Sequence, residues 1–125
     1  MWINLIYVMI GSAFGGGCRF LLSKAITDHT SGYFPWGTFA VNIIGCFVIG
    51  VLFGLIDRGV SLSPQMRSLF ITGFCGGFTT FSTFAHENYL LFNSSHFWIL
   101  FLYAVLSFAV GMLMAFAGHM LVRCL

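Results

Sequence analysis

The chain has 125 residues, 59% of them hydrophobic, and carries five Lys or Arg against three Asp or Glu for a net charge of +2. So few charges cannot clothe a soluble surface. The composition points to an integral membrane protein, organised as one domain over residues 1–125, and no nucleic-acid partner is expected.

Four apolar stretches can be marked, at roughly residues 2–25, 36–56, 66–91 and 97–122, each meeting the ~20 residues that a helix needs to cross ~30 Å of hydrocarbon. They are about twice as long as a membrane strand and do not alternate polar with apolar, so helices are expected rather than a β-barrel. The short connections leave no room for a soluble domain. The first stretch lacks a basic start and runs long before its first charges, Arg19 and Lys24, so it reads as a mature helix and not as a cleaved signal. Arg19 lies deep enough to need a partner or a water-filled vestibule, where its charge would concentrate anions; the alternative is an interfacial Arg reaching headgroups.

In the second stretch Thr38 and Asn42 are four residues apart and share a helical face. They either bind across helices as structural glue or line an aqueous path, and an Asn amide offers two donors to an anion. The third stretch contains Gly-Phe-Cys-Gly-Gly-Phe-Thr-Thr-Phe-Ser-Thr-Phe over residues 73–84. Vicinal glycines and short hydroxyl residues disfavour continuous helix, so a break is expected at Gly76 and Gly77, with Thr79, Thr80, Ser82 and Thr83 as local caps. Backbone freed at that depth survives only if protein, a cavity or an ion satisfies it. After the restart, Phe81 and Phe84 fall on one face with Glu87 three residues further on. Ring edges carry partial positive charge and can face an anion without trapping it. A central carboxylate costs roughly 2.5–3.5 kcal/mol, which makes Glu87 a functional candidate against the alternative of a snorkelling residue near a helix end. In the fourth stretch Tyr103 and Ser107 share a face and could complete a polar stripe begun by Asn42. His86 and His119 read as interfacial or interhelical hydrogen-bonders.

Gly11 and Gly15, Gly50 and Gly54, and Gly111 and Gly118 mark faces where helices can approach closely. Cys18, Cys46, Cys75 and Cys124 have no CxxC spacing and read as packing residues. With four spans, Arg58, Arg67 and Arg123 lie on one side and Lys24, with Arg19 if it reaches the interface, on the other. That balance gives almost no positive-inside signal. A chain indifferent to orientation can pair with an inverted copy of itself, so an antiparallel homodimer is expected. A small proton-coupled multidrug exporter would share the four helices, but it requires a carboxylate in the first span, and residues 2–25 contain none. A non-transporting assembly factor, whose glycines serve packing alone, is the third reading.

The residue 73–84 motif, together with Asn42-Ile-Ile-Gly45 and Gly-Gly-Gly-Cys-Arg19, closely resembles the CrcB/Fluc fluoride channel family over essentially the whole chain. The resemblance implies an all-α fold of four transmembrane helices with the third broken, a dual-topology homodimer, and two antiparallel fluoride pores in the bacterial inner membrane. It implies a structural sodium ion (Na+) at the dimer centre, held by backbone oxygens of Gly76 and Thr79 from both subunits. The pore residues would be Phe81, Phe84 and Asn42 with the polar track Ser82 and Thr83, joined by Thr38, Glu87, Tyr103 and Ser107. The implied role is passive fluoride export rather than enzymatic chemistry, and the chain has no P-loop pattern.

Overall fold

The computed structural model describes residues 1–125 and is all-helical. Helix α1 spans Trp2–Asp28 and α2 spans Trp36–Asp57. The helical segment α3 covers residues 64–78, α4 spans Ser82–Asn93 and α5 spans Phe97–Arg123. Helices α1, α2 and α5 are each long and apolar enough to cross a membrane; at 1.5 Å per residue the 27 residues of α1 reach about 40 Å. The fourth leg is shared between α3 and α4.

Local chemistry sets the ends. The Ser63 hydroxyl accepts the Met66 amide at 3.2 Å and Pro64 occupies the first helical position of α3, where its missing N–H costs nothing. Helix α2 stops at Gly59, whose φ of +97° closes the last turn as Val60 donates to the Leu55 carbonyl at 3.0 Å.

The four legs alternate in direction. Gly73 lies against Val8 and Gly77 against Ser12, so α1 and α3 run parallel. Gly50 meets Ala115 and Gly54 meets His119, so α2 and α5 do as well. Both pairs close on glycine: a Cβ on Gly15 would fall on the Phe74 carbonyl oxygen, and one on Gly50 on the Ala115 carbonyl oxygen. Gly50→Ala is therefore expected to force α2 and α5 apart and to lower stability by about 1–3 kcal/mol, read as a lower midpoint in detergent thermal melts.

Only 16 of 125 residues are buried, with Val41 and Tyr103 the large side chains wholly enclosed. Many Phe, Trp, Leu and Met side chains face outward on α1 and α5. That inverted distribution suits a hydrocarbon solvent, in which packing of small residues holds helices together.

The break differs from its expected place. Gly76 and Gly77 are helical, and the backbone leaves the helix at Thr79, whose ψ is 157°. Gly77 is small because it packs on α1, where a Cβ would stand 2.7 Å from the Ser12 carbonyl oxygen and 3.2 Å from the Gly16 nitrogen. The ladder ends at Thr79, whose amide makes the last helical bond to the Cys75 carbonyl at 3.0 Å with its hydroxyl on the same oxygen at 2.9 Å, while the Thr80 amide, next in line for the Gly76 carbonyl, goes to Asn42 Oδ1 instead. Upstream, Ser68–Cys75 is π-helical. Such widened turns are rare and concentrate near functional sites.

Candidate functional site

An open groove of about 680 Å³ lies between α2, the break and α5. From α2 it receives Asn42, Cys46 and Ile49; from α3 and the break Thr72, Cys75, Gly76 and Thr79; then Thr80, Phe81 and Phe84; and from α5 Ala104, Ser107 and Phe108. The α2 residues recur at helical spacing, so one face of that helix forms a wall. Gly45 belongs to it, because its missing Cβ leaves the space that the Thr79 methyl group fills.

Asn42 clasps the break. Its Oδ1 accepts the Thr80 amide at 2.8 Å, and its Nδ2 donates to the Thr80 carbonyl at 3.1 Å. One of the two donors read as suited to an anion is thus spent on backbone, and one N–H remains. The Thr80 hydroxyl accepts the Thr83 amide at 3.3 Å and so caps the first turn of α4.

The remaining backbone groups at the break can be assigned. The Cys75 carbonyl is taken by Thr79, the Gly77 carbonyl accepts from Arg19 Nε at 3.0 Å, and the Thr80 carbonyl accepts from Asn42. The carbonyls of Gly76, Phe78 and Thr79 accept no hydrogen bond, and of these three residues Gly76 and Thr79 line the groove. Carbonyl oxygens left free at the end of a helix carry partial negative charge and suit a cation.

Beyond the groove the polar path continues. The Phe81 and Phe84 rings lie 5.9 Å apart, and Phe84 packs on the Tyr103 ring at 4.9 Å. Tyr103 donates to Glu87 Oε1 and Thr38 donates to Glu87 Oε2, each at 2.9 Å. Glu87 therefore has a hydroxyl donor on each oxygen and is tied to α2 and α5, rather than reaching outward at a helix end. It also borders a second cavity of about 280 Å³ with Gly32, Tyr33 and Ser94. Ser107 Oγ is buried without a partner at the groove wall, a group left with bonding capacity for a ligand.

The structure thus gathers Asn42, Gly76, Thr79, Phe81, Phe84 and Ser107 on one groove, and Thr38, Glu87 and Tyr103 in the adjoining network. It does not bring Ser82, Thr83 or Arg19 to the groove wall: Ser82 is exposed, Thr83 engages the break through its amide, and Arg19 is half-buried against α3. His86 stacks on Tyr89, and His119 lies 3.3 Å from Asp57 where the ends of α2 and α5 meet. Sequence reasoning missed Thr72 and Ser12. Ser12 donates to the Gly73 carbonyl at 3.4 Å, and its spacing between Gly11 and Gly15 was the available signal. Thr72 had none, because its exposure to the groove follows from the π-helical register.

Known sequences agree over nearly the whole length. The family described as CrcB-like protein, Camphor Resistance (CrcB), matches residues 6–119. A relative from Flavobacterium psychrophilum named "Fluoride-specific ion channel FluC" is 36% identical over 120 residues, 96% of this chain and 97% of its own. Relatives of the same name from Leptospira interrogans and Bacteroides fragilis are each 40% identical, the first over 96% of this chain and 94% of its own, the second over 92% of both. With that match spanning all five helices, the chain belongs to the CrcB-like family.

Proposed function

We propose that this protein is a fluoride-selective channel that lets fluoride leave the cytoplasm passively across the bacterial inner membrane, working as an antiparallel homodimer with two pores. The observation that carries the reading is the groove itself, which sets one free Asn42 N–H, the unpartnered Ser107 hydroxyl and the Phe81 and Phe84 rings together. Neutral donors and polarised ring edges strip water from a small anion without holding it as Lys or Arg would. The names of the relatives supply the identity of the anion.

The groove is open along one side, and a second, inverted copy would close it. The chain carries only five Arg and Lys in all, and with Arg19 bonded inside the bundle, few charges are left to dictate one orientation. The free carbonyls of Gly76 and Thr79 fit a hard cation such as sodium, which favours oxygen ligands. Bound there, sodium would neutralise the carbonyl dipoles and tie the broken legs of the two subunits together. The chain's own part is to hold those carbonyls out of helical bonding: Asn42 takes the Thr80 amide that would serve Gly76, and the Thr80 hydroxyl takes the Thr83 amide that would serve Thr79.

Glu87 holds the Tyr103 and Thr38 hydroxyls in position at the end of the ring pair. No step requires ATP or covalent chemistry, and the protein is not an enzyme.

A fluoride electrode in a suspension of proteoliposomes tests the reading. Electrogenic fluoride efflux that needs no proton gradient is expected, and absence of efflux would overturn it. In the same assay Phe81→Ile is expected to lower efflux on the order of tenfold or more, since it removes a ring that is 79% exposed and carries little of the fold. Unchanged flux would remove the ring from the path.

A further inference from the structure

We propose that Arg19 tunes the affinity of the cation site at the break by fixing a positive charge on the same carbonyl end of α3; this rests on the sodium site proposed above. The Arg19 side chain crosses from α1 to donate through Nε to the Gly77 carbonyl at 3.0 Å, a partly buried bond between residues 58 apart in sequence. Gly77 directly follows Gly76, whose carbonyl is one of the two free ones on residues that line the groove.

Guanidinium is always charged, and its Nε bond fixes where the charge sits. It therefore occupies part of the negative end of the α3 dipole that a bound cation would otherwise have to itself. Adjacent residues are 3.8 Å apart, which puts the guanidinium within roughly 8 Å of the Gly76 carbonyl oxygen. A unit charge at about 8 Å and an effective dielectric near 20 shifts a binding constant on the order of tenfold or more.

Arg19 is thus a positioning residue that acts in two ways. It anchors α3 to α1, beside the Ser12 hydroxyl on Gly73, and it weakens the hold on the cation. The second action separates this role from that of a vestibule residue attracting anions, which would leave sodium unaffected.

The test uses the full-length protein, purified and loaded with radioactive sodium. Retained sodium is measured on gel-filtration columns against sodium concentration, and fluoride efflux is measured in parallel on reconstituted protein. Arg19→Gln removes the charge and should lower the half-saturating sodium concentration on the order of tenfold and slow sodium release; Arg19→Lys keeps the charge and should stay within about threefold of the parent. Arg19→Met is the second neutral variant, with the same expected shift, if the Gln form does not assemble.

Neutral variants that hold sodium with unchanged affinity would overturn the proposal. So would neutral variants that never assemble while Arg19→Lys does, which assigns the charge a structural role alone. A loss of efflux at low salt without any sodium shift would return Arg19 to the vestibule. If the parent protein itself retains no sodium, the sodium site fails, and the tuning role falls with it, whatever the variants do.

Discussion

Asn42→Ala is expected to abolish fluoride efflux and to loosen the break between α3 and α4. The side chain satisfies both the amide and the carbonyl of Thr80, at 2.8 and 3.1 Å. Removing it strands two backbone groups at membrane depth, each costing about 1–3 kcal/mol. Water is scarce there, so the backbone must rearrange to recover partners, and the simplest recovery is for Thr80 to rejoin a helix. That movement would pull the Thr79 carbonyl out of the groove and rotate Phe81. Hydrogen exchange at the Thr80 amide checks it directly: faster exchange with loss of efflux is expected. Asn42→Asp is the informative companion, because a carboxylate keeps the acceptor for the Thr80 amide and loses the donor to its carbonyl. If Asn42→Ala conducts normally, the clasp is dispensable.

The membrane fold and the order of the polar residues were legible in the sequence because both follow from hydrophobic length and helical spacing. Thr38 and Asn42 do share a face, and that face meets the broken leg. Phe81, Phe84 and Glu87 follow one another toward Tyr103. The position of the break was misread, because glycine pairs weaken a helix by propensity alone, whereas a close neighbouring helix overrides propensity. Here α1 presses on Gly77 and keeps the turn helical, and the chain opens two residues later, where side-chain bonds from Asn42 and the Thr80 hydroxyl replace the ladder. For Arg19 the need for a partner was legible, and the structure supplies one. Depth in a span says that an Arg needs a partner, but the partner is a carbonyl on another helix that no spacing rule identifies. The π-helical register over Ser68–Cys75 was invisible in the sequence, and with it the exposure of Thr72.

Gly77→Val is expected to have the largest effect on assembly, and through packing on α1 rather than through the break. A Cβ at Gly77 would stand 2.7 Å from the Ser12 carbonyl oxygen and 3.0 Å from its Cα. Both are backbone atoms that no rotamer change can move aside, and Val adds two methyl groups beyond the Cβ. Helix α1 or α3 must therefore shift as a body, at a cost of about 3 kcal/mol or more. The shift also breaks the Arg19 bond to the Gly77 carbonyl and lengthens the Ser12 bond to Gly73, so three contacts that align the two helices fail together. The expected result is loss of the monodisperse peak in detergent gel filtration, with efflux absent as a consequence. Gly76→Ala supplies the contrast within the subunit, because nothing stands within 4 Å of a Cβ there. If Gly77→Val assembled normally but did not conduct, its role would lie in the backbone of the break after all, and the packing account of this glycine pair would be wrong.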